Sequence, residues 1–122
     1  MENNLITDKL YTYKAKVERV IDGDTAELVI DLGFTVHWKS SCRLYGINTY
    51  ELRSKDVAEK EKAKEAKKVT ENYLQPGSEV IVVSRELDKY GRPLVDIYCT
   101  ENFSLHLNDW LLKQGLAKPL KY

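Results

Sequence analysis

YTYKAKVERVIDGDTAELVIDLGFTVHWKSSCRL, residues 11–44, is the stretch whose pattern settles the fold class. Tyr11, Tyr13, Ala15 and Val17 alternate with Thr12, Lys14 and Lys16, the period-two pattern of a strand with one buried face. The run breaks at Asp22-Gly23, a turn-favouring pair. Ala26, Leu28, Ile30 and Leu32 then alternate with Thr25, Glu27 and Asp31, so a second strand is predicted to fold back on the first as a hairpin. Gly33 marks its end. A third alternation begins with Phe34, Val36 and Trp38 and resumes at Cys42 and Leu44, which puts His37, Lys39 and Arg43 on the opposite face. Trp38 continues an apolar pattern and Trp110 adjoins one, so both are expected in the core.

Downstream the period changes. Residues 54–74 are rich in Ala, Glu and Lys, contain no Gly or Pro, and set Ala63, Ala66, Val69 and Tyr73 on one stripe, which predicts a helix. Ser54 is its expected N-cap, and Glu59 with Lys62 and Glu65 with Lys68 are expected to pair along its wet face. Pro76-Gly77 closes the helix, residues 80–83 form a β-branched run suited to a buried strand, and residues 88–92 turn the chain. Residues 94–98 read as a fifth strand. Residues 105–114 read as a short helix with Leu107 and Leu111 inward, stopped at Gly115. The order βββ-α-ββ-α fits a mixed α+β, mainly β domain: a five-stranded Greek-key barrel of the OB type with two helices.

Composition narrows the function classes. With 122 residues and 43% apolar content, a single domain is expected, with its core at about residues 11–118. Nineteen basic residues cancel nineteen acidic ones, which excludes a polybasic coat for nucleic acid, so any anionic ligand must be held by local geometry. The start MENNLITDKL lacks the basic and apolar segments of a secretion signal, and no run is long enough to span a membrane, so an intracellular protein without membrane contact, and by default a monomer, is expected. Cys42 and Cys99 lie in apolar runs without zinc-ligand spacing; buried free thiols are the simpler reading, and a disulfide stays open.

Three clusters carry polar chemistry. Asp22-Gly23-Asp24-Thr25 sets two carboxylates about a glycine and by itself reads as a hairpin turn. RLYGINTYE (residues 43–51) places Arg43 at a strand end and Glu51 in the loop beyond, and alone reads as a surface ion pair. DKYGR (residues 88–92) alone reads as a charged hairpin loop. His37 and His106 have no partner at a useful spacing and receive no catalytic role.

Taken together, IDGDT (21–25), RLYGINT (43–49) with Glu51, DKYGR (88–92) and QGLAK (114–118) resemble the staphylococcal nuclease (thermonuclease) family in motif, order and spacing over nearly the whole domain. The DLGF run (31–34) with RLYGINT is more similar to the small phage and bacterial members than to the secreted enzyme. The resemblance implies a calcium-dependent nuclease that hydrolyses phosphodiester bonds of single-stranded DNA or RNA and leaves 3′-phosphate ends. It implies that Arg43 and Arg92 grip phosphoryl oxygens and that Glu51 acts as general base. Calcium would be held by Asp24, Asn48 and the Thr49 carbonyl, with Asp22 in support; Lys89 and Tyr90 would contact the nucleotide. Those roles suit the chemistry, because in-line attack of water on phosphorus builds negative charge that guanidinium forks and a hard cation neutralise.

Three positions depart from the family pattern. Asn48 stands for an aspartate, removing one charge from the metal site; Tyr50 stands for a proline, freeing the loop that carries Glu51 or offering a ring to a base; Lys121 stands where a base-packing tyrosine is expected, with Tyr122 one place off. Two other classes compete: a barrel that binds nucleic acid or protein without cutting, and a sugar- or peptide-binding OB domain. Retention of Asp24, Arg43, Glu51 and Arg92 favours the enzyme.

Overall fold

The three alternating runs form consecutive antiparallel strands, β1 (Thr12–Asp22), β2 (Thr25–Asp31) and β3 (His37–Leu44), in the computed structural model, which describes residues 6–122. They are followed by β4 (Ile47–Thr49), α1 (Val57–Tyr73), β5 (Glu79–Leu87), β6 (Pro93–Cys99), the two-residue β7 (Leu105–His106), α2 (Leu107–Lys113) and β8 (Ala117–Pro119). β5 pairs with both β1 and β6, and β6 returns to β3 in parallel through Arg43↔Leu94 and Leu44↔Val95. That last ladder closes β3-β2-β1-β5-β6 into a five-stranded barrel, the architecture expected from the order of elements.

Parallel strands diverge quickly where the closing ladder is only two residues long, and a buried amide spans the gap. Tyr45 N donates to Val95 O at 2.8 Å. Asn108, on α2, accepts from Ile97 N at 3.0 Å through Oδ1 and donates through Nδ2 to Tyr45 O and Val95 O, each at 3.0 Å. The side chain thus gives partners to Ile97 N and to the Tyr45 carbonyl just past β3, and adds a second donor to Val95 O. Around it the barrel is filled by Leu28, Leu44 and Ile97, while Leu107 and Leu111 of α2 and Ala63 and Ala66 of α1 close its ends with their inward faces.

Several local expectations are corrected. Asp56, not Ser54, caps α1: its carboxylate accepts from Ala58 N at 2.9 Å and Glu59 N at 3.4 Å. Neither expected pair, Glu59 with Lys62 or Glu65 with Lys68, comes within ion-pair distance: the Glu59 carboxylate accepts from the Ser54 hydroxyl at 3.0 Å, and the i,i+3 pair that forms on this helix is Glu61 with Lys64. Phe34 does not begin a strand. It sits with Thr35 at the centre of a hairpin turn closed by Val36 N to Gly33 O at 2.9 Å, both central residues having positive φ as a type I′ turn requires. Its ring is 97% exposed, and Trp38, expected in the core, is 42% exposed, because this hairpin runs past the end of the barrel. Trp110 does pack, edge-on to Tyr73 with centroids 6.0 Å apart.

Cys42 and Cys99 are free and buried, and desolvation pushes their thiols up to about 12 and about 11, so both stay protonated at neutral pH. No helix among the described residues is long and apolar enough to cross a membrane. The opening MENNL, on which part of the leader reading turns, lies outside the described residues.

Asn108→Ala leaves Ile97 N and Tyr45 O at the closure without partners, while Val95 O keeps the Tyr45 amide, and is expected to cost roughly 2–5 kcal/mol. A urea midpoint within error of the unmodified protein would refute the closing role of this amide.

Candidate active site

At the β1–β2 corner the chain turns through Gly23 and Asp24, with Asp22 opposite Thr25. The hairpin turn expected at Asp22-Gly23 forms, but Gly23 is not in the left-handed region. A side chain there is excluded for another reason: a Cβ would lie 2.9 Å from Ala66 Cβ and 3.1 Å from Thr49 Cγ2. Helix α1 packs directly on the corner, and Thr70 Oγ1 donates to Gly23 O at 2.8 Å. Asp24 is thereby buried, 6% exposed, but not unsatisfied. Oδ1 accepts from the Thr25 hydroxyl at 3.0 Å, Oδ2 accepts from Thr49 N at 3.1 Å, and Arg43 Nη2 lies 3.6 Å from Oδ2.

Arg43 reaches the corner from β3, as its outward parity predicts. Its Nη2 donates to Asn48 Oδ1 at 2.7 Å, whereas Nε is buried without a partner among the described residues. Asn48 and Thr49 lie on β4, a strand not foreseen from sequence, paired with Lys118 and Ala117 of β8. The QGLAK motif therefore supplies the ladder that holds the Asn48-Thr49 backbone. Glu51 follows in the exposed segment after β4, and its carboxylate makes no ion pair among the described residues.

Arg92 is oriented by Asp88. The Asp88 carboxylate accepts from Tyr90 N at 2.8 Å, Arg92 N at 2.9 Å and Arg92 Nε at 2.7 Å. Partial burial works against its charge, but these donors and the guanidinium outweigh that effect and hold the carboxyl below its ordinary value. With Nε engaged, the terminal nitrogens of Arg92 remain available to a ligand.

Asp22, Asp24, Arg43, Asn48, Thr49, Glu51 and Arg92 line one open cleft of about 520 Å³. Lys89 and Tyr90 line a neighbouring groove of about 340 Å³ whose walls include Arg43 and Arg92 and also Tyr122. Tyr122 stacks on Tyr45, centroids 5.0 Å apart and planes 17° apart, and the Arg85 guanidinium lies 4.5 Å from the Tyr45 centroid. Sequence reasoning noted Tyr122 as an aromatic one place from the expected position but missed Tyr45 and Arg85, for which it held no signal. His37 and His106 line neither space; His106 Nε2 lies 3.2 Å from Asp96 and its ring stacks on Tyr98.

The cleft is lined by no His, Cys or Met, and its candidate metal ligands are oxygens, among them the carboxylates of Asp22, Asp24 and Glu51 and the Asn48 amide oxygen, with Thr49 beside them. That set suits a hard divalent cation and excludes a soft one. Among the described residues no three His, Cys, Asp or Glu gather as a protein-only cage, and Asp24 and Asn48 already accept hydrogen bonds, so water and ligand oxygens would complete the shell of any ion held there.

Asp88→Asn removes the ion pair to Arg92 and is expected to cost roughly 1–3 kcal/mol at neutral pH. The folded pKa is depressed, so the stabilisation is fully present above the ordinary value of 3.8 and is lost as pH falls through the lower folded value. Urea midpoints of the two proteins should therefore converge on acidification; a gap independent of pH refutes the assignment.

A family model described as staphylococcal nuclease homologue matches residues 41–122, about two thirds of the chain. The matched region contains Arg43, Asn48, Thr49, Glu51 and Arg92 and begins after the Asp22–Asp24 corner. No curated protein matches.

Proposed function

The chain belongs to the staphylococcal nuclease homologue family, and from that premise we propose that it is a calcium-dependent nuclease acting as a monomer on single-stranded DNA or RNA and leaving 3′-phosphate ends. The observation that carries this reading is the shared cleft, lined by two guanidinium groups, two corner carboxylates and Glu51 although they come from three separate stretches of sequence.

Hydrolysis requires a water in line with the leaving oxygen and donors aimed at the charge that grows on the non-bridging oxygens. Arg92, braced by Asp88, and Arg43, braced by Asn48 and Asp24, supply those donors, and their orientation before substrate arrives lowers the reorganisation needed in the transition state. Glu51 takes the proton from the attacking water, a role that suits an exposed carboxylate with no ion pair among the described residues. Asp24, Asn48 and the Thr49 carbonyl would hold calcium, supported by Asp22, and the ion would supply positive charge to a phosphoryl oxygen. Lys89 and Tyr90 bind the adjoining nucleotide, whose base has Tyr122 as an aromatic wall.

One observation favours a second reading, a barrel that binds nucleic acid without cutting it: Asn48 carries no charge, and its amide oxygen already accepts from Arg43.

A labelled single-stranded oligonucleotide incubated with the protein separates the two. Cleavage is expected in calcium and not with a chelator, and Glu51→Gln should lower kcat by about 10²-fold or more while still binding. Retained cleavage by Glu51→Gln removes Glu51 from the general-base role, and binding without cleavage by the unmodified protein refutes the enzymatic assignment. Calcium titration followed by calorimetry tests the metal ligands separately: Asn48→Asp restores a charged donor and should bind calcium about tenfold more tightly. Equal or weaker binding by the aspartate form removes residue 48 from the ligand set.

A further inference from the structure

Tyr50 lies on the wall of the cleft, and two ammonium groups converge on its ring: Lys118 Nζ at 4.7 Å and Lys62 Nζ at 5.1 Å from the centroid. They come from unrelated elements. Lys62 projects from α1, and Lys118 stands on β8 opposite Asn48. Among the described residues neither ammonium has a carboxylate partner, whereas Lys39, Lys64 and Lys113 do. Glu59, the neighbour expected to pair with Lys62, instead accepts from the Ser54 hydroxyl. Two like charges drawn together beside an aromatic face, in a chain of zero net charge, make a local anion site with a stacking surface.

Its position relative to the arginines gives it a direction. The cleft and the Lys89-Tyr90 groove have only Arg43 and Arg92 in common among the residues that line them. A phosphate gripped by both arginines therefore sits at the junction of two spaces, and a strand passing through it must place its neighbouring nucleotides in each. The groove supplies a lysine and aromatic rings on one side; Tyr50, Lys62 and Lys118 supply the same chemistry on the other. A base that stacks on Tyr50 displaces an ammonium from the ring, and the phosphate of that nucleotide receives it.

We propose that Tyr50, Lys62 and Lys118 form a second nucleotide subsite, across the reacting phosphate from the Lys89-Tyr90 groove, so that the ligand is a single strand engaged on both sides of that phosphate. This rests on the nuclease reading for the identity of the central phosphate, but the subsite is tested by binding as well as by cleavage.

Binding of a short labelled oligothymidylate is measured by fluorescence anisotropy across a salt series in the Glu51→Gln background with calcium, and cleavage in the unmodified background. The Lys62→Gln/Lys118→Gln double substitution should raise Kd about tenfold and lower the log–log salt slope by about 1 to 2, and Tyr50→Leu should raise Kd about fivefold or more. Lys60→Gln, which removes one charge from the opposite side of α1, controls for net charge and should leave the slope unaltered. In cleavage, the double variant should lose about tenfold more kcat/KM on the oligonucleotide than on an aryl diester of a single nucleotide, which spans only one side. Equal losses on both substrates, or a salt slope that matches the Lys60→Gln control, overturns the subsite. Cleavage indifferent to all three side chains sinks the subsite and spares the nuclease reading; binding that depends on them without any cleavage does the reverse. Absence of both binding and cleavage overturns both.

Discussion

The parallel contact of β3 with β6 is the constraint on which the rest of the molecule depends. Two ladder positions, Arg43↔Leu94 and Leu44↔Val95, turn an open meander into a barrel, and they are also what carries Arg43 next to the segment bearing Arg92. The closure and the site are therefore one event: a strand register that seals the core fixes the separation of two guanidinium groups. So short a ladder would fray, and the buried Asn108 amide supplies the hydrogen bonds that the diverging strands cannot make to each other. A polar side chain in the core is stable here because each of its contacts is matched by a backbone group.

A second constraint acts from the other end of the cleft. Helix α1 sits on the β1–β2 corner so closely that only a glycine fits at residue 23 and only a small residue at 66, and Thr70 ties the corner to the helix. The carboxylate of Asp24 is thereby held under the chain, where its lone pairs are shared among a hydroxyl, an amide and an arginine. The polar side chains of the cleft brace one another: Asp88 orients Arg92, Asn48 orients Arg43, and the ladder between β4 and β8 orients Asn48. Such bracing has a reason in electrostatics, since a protein of zero net charge has no general field to gather a polyanion and must rely on a few donors in fixed positions.

The reading from sequence failed at particular residues, each for a physical reason. Period two tells which side chains share a face but not whether anything covers that face, so Phe34 and Trp38 were assigned inward and instead lie on a hairpin that overshoots the barrel. Ser54 and Asp56 are both competent caps, and the choice between them depended on where the loop delivers the chain. Spacing along α1 allowed Glu59 to pair with Lys62, yet a local hydroxyl took the carboxylate and a distant ring took the ammonium. Residues 47–49 are too short to alternate visibly and become a strand only because β8 arrives beside them.

The sequence by itself determined the alternation of strand and helix and most of the apolar core, because periodicity and turn residues are properties of neighbouring positions, and its family resemblance pointed to the groups that line the cleft. The tertiary structure alone decided the closure of β3 on β6, the approach of α1 to Gly23, the stacking of Tyr122 on Tyr45 and the gathering of Lys62 and Lys118 about Tyr50. Each joins residues far apart along the chain, and their meeting depends on how whole elements pack rather than on any local preference of the residues concerned.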